Sequence, residues 1–595
     1  MKTIKKIVCL LMTLVIALSF VGCNRGDDNP TGNQLPDFPE TPADKNSWEY
    51  ADEEITIDWF VNYSWFSYAN SGYDEISKVI KQKTGVTVRF TSPVDDTGEM
   101  LNVMIGGDTL PDVISVQAYQ TKATQLALEG YVYSINDLAE KWAPSLLNRI
   151  EPDIQAYYQL ADGDLYGLPS CAYSTKYVTE DEKWAPNGGM LVRKDWYEWY
   201  QSQPDKMDIT TPTGLLDAMK RVTAQFKSSS VNATGVLIDR FSEEGNQGVT
   251  WLSQYFAAPF EDKQGNYVDQ RTTPQYKETL LFLNQCYREG LMRKSNISAT
   301  ADEVASILSK GEAFVALVTP QNYPGSFINA YNNNVEYIPL IVRNSAGEDP
   351  VLQDLTGNGF LLSMVTKNAE RPDVIIKLLD FLYSEEGQLL CQFGIEGDTW
   401  NWADESKTQV KWTQKYLDMK KAGSTASYGF GCFNTLYNPA YIEPISPLEG
   451  KTQSEAYTEN LKRALMPFSY RYGISWPKLD VTADNYLDIV QSEAKVLAVW
   501  AEYLPSIVKA SSAKSAEDLL AEAISAMDRR GREEVIATYA QAYAENKQKL
   551  GVTWGWPLND PNYKSPTMRN ADGTFSTTPV GPNGDTWYLR NYIVN

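Results

Sequence analysis

The chain has 595 residues, too long for one ordinary hydrophobic core, so two or more globular bodies are expected. Hydrophobic residues make up 43% and charged ones 22%, as in folded water-exposed proteins, and the net charge of −23 argues against nucleic acid as a partner. Histidine is absent, which removes Ser-His-Asp and Cys-His nucleophilic mechanisms and His-ligated zinc or iron sites.

In chain order, MKTIKK (1–6) is basic, and Ile7 to Phe20 is an apolar run of 14 residues without a charge. A membrane-spanning helix needs about 20 apolar residues, so the shorter run predicts a signal peptide over 1–22. The run closes on Phe20-Val21-Gly22-Cys23, which resembles a bacterial lipobox with Phe20 in place of the usual Leu. That resemblance implies that Cys23 is acylated (palmitate) and becomes the mature N-terminus, anchored on the outer face of the cell membrane. Residues 23–50 are rich in Pro, Asp, Gly and Asn and read as a flexible tether behind the lipid. Of the later cysteines, Cys286 and Cys391 lie in apolar helical patterns. With Cys171 and Cys432 they form no CxxC pair, and buried free thiols are favoured over disulfides.

Strands are predicted at 55–61, 85–91 and 111–116, alternating with helices at 72–83, 100–106 and 123–128, the last closed by Gly130. This alternation predicts a doubly wound α/β lobe with a mainly parallel sheet. Further on, GMLVR (189–193) is a strand and 194 opens a helix with Asp195 as its expected N-cap. A helix lies within 210–227, with Thr213 as its candidate cap. GFLLSMVT (359–366) is a strand, RPDVIIKLLDFLYS (371–384) an amphipathic helix, and 485–548 mostly helical. Residues 551–595 read as an irregular extension.

Several of these segments carry a family resemblance. LNVMIGGDTLPDVISV (101–116), LALEGYVYSINDLAEKWAPS (126–145), DGDLYGLP (162–169), MLVRKDW (190–196), GEAFVALV (311–318) and the stretch 357–400 follow one another in a characteristic order. Together they resemble the extracellular solute-binding lipoproteins of ABC importers, especially the large type similar to alginate-binding proteins. The resemblance implies a two-lobed α/β fold, like that of periplasmic binding proteins, with hinge crossovers and a helix-rich second lobe. It assigns 51–178 plus 335–393 to the first lobe and 179–334 plus 394–550 to the second. It also implies no enzymatic activity, a small carbohydrate ligand captured for import, and ABC permease subunits as partners. Many such proteins carry an Asp-rich calcium loop, but FKSSSVNATGV (226–236) has no carboxylate, so no metal and no cofactor is expected.

Sugars present C–H faces edged by hydroxyls, and aromatic faces with planar polar groups hold them. Ligand-binding candidates therefore lie on loops at strand ends. Asn62, Tyr63 and Trp65 follow the first strand, and Gln117 and Tyr119 the third. Trp184 lies beside the first crossover. Tyr255 and Phe256 belong to WLSQYF, where helical spacing favours a core role for Trp251. Tyr323 in TPQNYPG, and Glu396, Trp400 and Trp402 in IEGDTWNW, match loops that carry ligand contacts in the resembling family. A receptor for peptides or another solute would use the same aromatics. A cell-surface glycoside hydrolase needs two carboxylates across a cleft, and among 76 acids such a pair carries little information. An adhesive surface protein would show repeats, and none is visible.

Overall fold

Runs of β-branched and aromatic residues alternating with amphipathic helices fold into two α/β lobes. The computed structural model describes residues 35–566 and 593–594, except 52, 67, 69–71, 96–97, 119–120, 161, 175, 177–183, 240, 242–246, 355–358, 432, 448, 472–484 and 551. Cys23, Tyr119 and Cys432 thus lie outside the described residues, and Cys171, Cys286 and Cys391 are free thiols. Among the described residues no helix is long and apolar enough to cross a membrane.

In chain order the strands are β1 (Ile55–Val61), β2 (Val86–Thr91), β3 (Val113–Gln117), β4 (Leu168–Pro169), β5 (Gly189–Arg193), β6 (Thr234–Ile238), β7 (Ala313–Val318), β8 (Tyr337–Pro339), β9 (Leu352–Gln353) and β10 (Leu361–Val365). The first lobe holds the five-stranded sheet β2-β1-β3-β10-β4, and the second the four-stranded sheet β6-β7-β5-β8. In the first sheet, β1 pairs in parallel with β2 and β3, whereas β10 runs antiparallel to β3 and β4 because the chain re-enters this lobe from the other. Successive residues of β1 serve opposite faces. Ile57, Trp59 and Val61 enter one core and Phe60 the other, so helices cover both sides of the sheet.

Local chemistry fixes the helix ends. Asp74 caps Glu75–Thr84 by accepting from the Ser77 amide, and Gly85 ends it at φ 74°. A Cβ on Gly85 would sit 2.0 Å from the Glu53 carbonyl oxygen. Two expected caps move. Arg193 occupies the N-cap before Lys194–Gln201, leaving Asp195 in the first turn paired with Arg193. Thr211, not Thr213, caps Pro212–Phe226, because Pro212 takes the first helical position, where no amide donor is needed.

The predicted helical stretch 485–548 is three helices, Tyr486–Val508, Ala513–Asp528 and Arg532–Leu550; the first two pack on Pro274–Arg288 and the third on the first two. Asn284 Nδ2 donates to the carbonyls of Ile507, Val508 and Ala510, securing the end of the first of them. The expected irregular extension is anchored in part: Trp556 is buried, and Glu261 binds the chain at 555–559.

Two expected lobe boundaries shift. Tyr337–Pro339 pairs with β5, so the chain stays in the second lobe past 335 and crosses back near β9. Residues from 394 to about 445 pack on the first lobe: Phe433 meets Trp59 and Phe90 edge-on, and Tyr428 and Leu436 join the same core. The helix Gln453–Arg463 then packs on the second lobe, with Tyr457 bonded through its hydroxyl to the Tyr337 backbone.

Candidate ligand-binding site

Three chain crossings lie side by side between the lobes. β9 pairs in parallel with Ser469–Tyr470, Asp354 bridges to Pro186, and the Asn187 amide donates to the Gln353 carbonyl. Short extended segments bonded to one another form the joint about which two lobes can close, and the Gln353 amide also donates to Gln254 of the second lobe.

The first aromatic group stands at the carboxyl end of β1. Tyr63 stacks on Phe360 with centroids 5.3 Å apart, and Trp65 lies 6.3 Å from Phe360 with its ring nearly parallel. Trp65 is 58% exposed, so its face is available to a ligand. Gln117 pairs with Leu361 beside it, and the Ala118 amide holds the Phe360 carbonyl. Asn62 is fixed by its amide to the Ser115 carbonyl and stays partly exposed. The structure thus brings Asn62, Tyr63, Trp65 and Gln117 together and adds Phe360.

A second aromatic group surrounds a cavity of about 290 Å³. It is lined by Trp184 and Ala185 of the first crossing, by Phe393, Trp412, Tyr416 and Tyr437 of the first lobe's late segment, and by Glu459 and Arg463 of the helix on the second lobe. Lys420, Glu443, Glu449, Gly450 and Lys451 complete the polar wall. The two groups meet through a short relay. The Phe360 amide donates to the Ser170 carbonyl, and the next residue, Cys171, donates its amide to the Tyr437 carbonyl.

Trp412 is placed by the hairpin Trp400–Trp402 with Val410–Trp412, in which Trp400 is its direct partner. Thr413 then caps Gln414–Lys421, which sets Tyr416 one turn on, stacked on Trp412 at 3.6 Å between centroids. The backbone passes close over this pair at Gly450 (φ 81°), where a Cβ would lie 3.1 Å from the Trp412 ring. Gln388 anchors Tyr437, its amide group donating to the Leu436 carbonyl and accepting from the Asn438 amide. Glu449–Lys451 also pairs in parallel with Ile593–Val594 near the end of the chain.

The charges of the wall are matched. Lys420 donates to Glu455 at 2.9 Å and to the Gly450 carbonyl at 2.8 Å, and Lys451 lies 3.5 Å from Glu459. Burial pushes the Glu455 carboxyl up, but the bonds from Lys420 and the Thr452 amide outweigh it and hold it below its ordinary value. Burial, with the Glu455 charge, pushes the Tyr416 phenol up to about 12, so it stays a neutral donor at physiological pH. Ring faces, phenol donors and paired charges suit a solute to be held, not transformed.

Six other candidates fall elsewhere. Tyr255 and Phe256 are fully buried; the Tyr255 hydroxyl accepts from the Met190 amide, and Phe256 packs edge-on against Phe282. Tyr323 is 5% exposed and its hydroxyl donates to Asp239. Trp400 is 2% exposed because its ring fills the small core with Phe393, Val410 and Ile442, its Nε1 donating to the Gly394 carbonyl. Trp402 packs edge-on against it, under Lys407. None of these aromatics lines the cavity, and Glu396 is simply exposed. Sequence reasoning missed Trp412, Tyr416 and Tyr437. The WNW…VKW symmetry about a polar turn marks the hairpin that carries Trp412, but not which of the two paired rings stays accessible.

In sequence, the fructooligosaccharide ABC transporter substrate-binding protein FusA of Streptococcus pneumoniae serotype 4 is 24% identical over 346 residues, covering 54% of this chain and 59% of FusA. Lipoprotein LipO of Bacillus subtilis is 19% identical over 357 residues, covering 57% of this chain and 66% of LipO. The match thus spans less than two thirds of either relative. The solved structure of FusA with kestose superposes with a TM-score of 0.65 at 14% identity, over 83% of this chain and 100% of that one. The alginate-binding protein AlgQ2 without calcium gives 0.60 at 16% identity, over 83% and 98%. Both share the two-lobed fold. A sequence profile of bacterial extracellular solute-binding proteins matches residues 75–397, more than half of the chain, and this chain belongs to that family.

Proposed function

We propose that the chain captures an oligosaccharide outside the cell and hands it to ABC permease subunits, without altering it chemically. The observation that carries this is the aromatic cavity at the joint between the lobes, lined by Trp184, Trp412, Tyr416 and Tyr437. Ring faces of this kind hold the C–H faces of sugars. The exposed Trp65 ring, backed by the partly buried Tyr63 and Phe360, extends the surface to a longer ligand, with Asn62 and Gln117 at its edge. Closure of the lobes follows from tighter binding in the closed form than in the open one. Family membership, the fructooligosaccharide-binding FusA and the alginate-binding AlgQ2 support the same reading. So does the Gly22-Cys23 motif, together with the lipoprotein relative LipO, for a lipid anchor at Cys23.

The test is a thermal-shift screen against a glycan panel, with peptides as controls. A ligand that binds the native state stabilises it by mass action, by about 2.7 kcal/mol at a hundredfold excess over Kd, and so raises the melting temperature. One glycan class is expected to give a shift, and Trp412→Ala and Trp65→Ala to shrink it. A shift with peptides and none with glycans refutes the assignment.

A further inference from the structure

The cavity at the joint presents three cations and three acids, and the cations are already engaged. Lys420 serves Glu455 and the Gly450 carbonyl, Lys451 faces Glu459, and Arg463 is not free either. A ligand carboxylate would have to take one of them from its present partner, leaving a half-buried acid without its counter-charge. Acid also surrounds the inner end. Glu443 lines the cavity, and its charge adds to the effect of burial in pushing up the Cys171 thiol and the Tyr173 phenol. Glu449 faces the same space from Glu449–Lys451, and the chain as a whole is strongly negative. An anionic sugar would enter against this field.

One donor in the lining is unspent. Trp184 Nε1 is buried and has no hydrogen-bond partner among the described residues. Its ring is held edge-on by Tyr173 at 5.0 Å, and its carbonyl accepts from the Ser469 hydroxyl at 2.5 Å, so the indole is fixed in place. A buried N–H without an acceptor is costly, and a neutral oxygen from a ligand removes that cost without adding charge.

The geometry points to an uncharged oligosaccharide as the ligand of this cavity, with Trp184 Nε1 donating to a ring or hydroxyl oxygen and Trp412 stacking on a sugar face. This rests on the capture reading above and narrows it to a substrate class and a specificity residue.

The experiment is titration calorimetry of the purified chain against neutral oligosaccharides of three to five units (fructo-, gluco- and manno-) and oligouronates of the same lengths, with peptides as controls. A neutral series is expected to bind, with an affinity that changes less than twofold between 50 and 500 mM salt. Trp184→Phe, which keeps the ring and removes the donor, is expected to weaken it about tenfold with the unliganded melting temperature unchanged. Tighter binding of an oligouronate than of any neutral glycan overturns the inference and leaves oligosaccharide capture standing. Unchanged affinity in Trp184→Phe overturns the role of the indole. Binding of peptides alone, or of no glycan, overturns the inference together with the reading beneath it.

Discussion

Glu261 is the point at which the end of the chain is tied to the second lobe. Its carboxylate accepts from five groups: Tyr543 Oη at 2.6 Å, Lys547 Nζ at 2.8 Å, the Gly555 amide at 2.8 Å, the Trp556 amide at 3.3 Å and Asn559 Nδ2 at 2.9 Å. The side chain has no exposure to water, and Lys547 is 14% exposed. Replacing it with alanine leaves a nearly buried ammonium without its counter-charge, held by the Gly265 carbonyl and the Tyr543 and Trp554 rings, and removes the carboxylate acceptor of the Gly555 and Trp556 amides. Breaking a buried pair from one side costs about 3–5 kcal/mol. The opening equilibrium of 543–559 should therefore rise by roughly two to three orders of magnitude, since about 1.4 kcal/mol is tenfold. Amide hydrogen exchange read by mass spectrometry measures this locally, which matters because two lobes need not unfold as one unit. Glu261→Gln keeps the shape and loses the charge, and should fall between wild type and Glu261→Ala. A rise in exchange below about fivefold in Glu261→Ala, or an equal rise throughout both lobes, refutes the argument.

Two other perturbations follow from the same structure. Gly188→Ala places a Cβ 2.0 Å from the Trp251 ring, whose Nε1 donates to Thr319, so the indole must move. Overpacking of this kind costs about 1–3 kcal/mol; a lower melting temperature and an altered tryptophan fluorescence are expected, and a variant unchanged in both contradicts the packing described. Acid sensitivity has a defined window. Burial pushes the Glu261 and Asp269 carboxyls up, but the donors to Glu261 and the Arg271 charge beside Asp269 outweigh it, and both titrate below their ordinary values. Each contributes stability that is complete above the unfolded carboxylate pKa of about 4 and is lost as pH falls through the folded value. With no histidine in the chain, the urea midpoint should be flat between pH 8 and 6 and fall below about pH 4. A large drop between pH 8 and 6 would mean that another group governs it.

Much of the fold was legible because it is written in local pattern. The alternation in ITIDWFV (55–61) and the Pro-Asp start of PDVISV (111–116) marked strands, and helices between them set the α/β class. Polar turns were legible by composition, but the tether expected over 23–50 is corrected at 35–50: Trp48 is buried against Phe381, the Ser47 hydroxyl donates to Asp380 and the Thr41 amide to the Lys141 carbonyl, contacts with distant residues that a Pro- and Asp-rich composition does not reveal. That Tyr63 and Trp65 stand at the carboxyl edge of the sheet was legible because the loop after a parallel strand opens there. Tyr255, Phe256 and Tyr323 misled because an aromatic after a strand or helix has the same sequence signature whether it faces a cleft or a core. Met190, Phe282 and Asp239, distant in sequence, decide which.

The sequence by itself determined most element types and the exclusion of histidine chemistry, because periodicity and composition act over a few neighbouring residues, while the two-lobed class came from the order of the family-like segments. Only the tertiary structure decided that 394–445 returns to the first lobe, that Trp412 rather than Trp400 lines the cavity, and that Trp184 keeps an unspent donor. Each of these depends on which distant surfaces meet. Burial and hydrogen-bond satisfaction are properties of those meetings, and no local pattern encodes them.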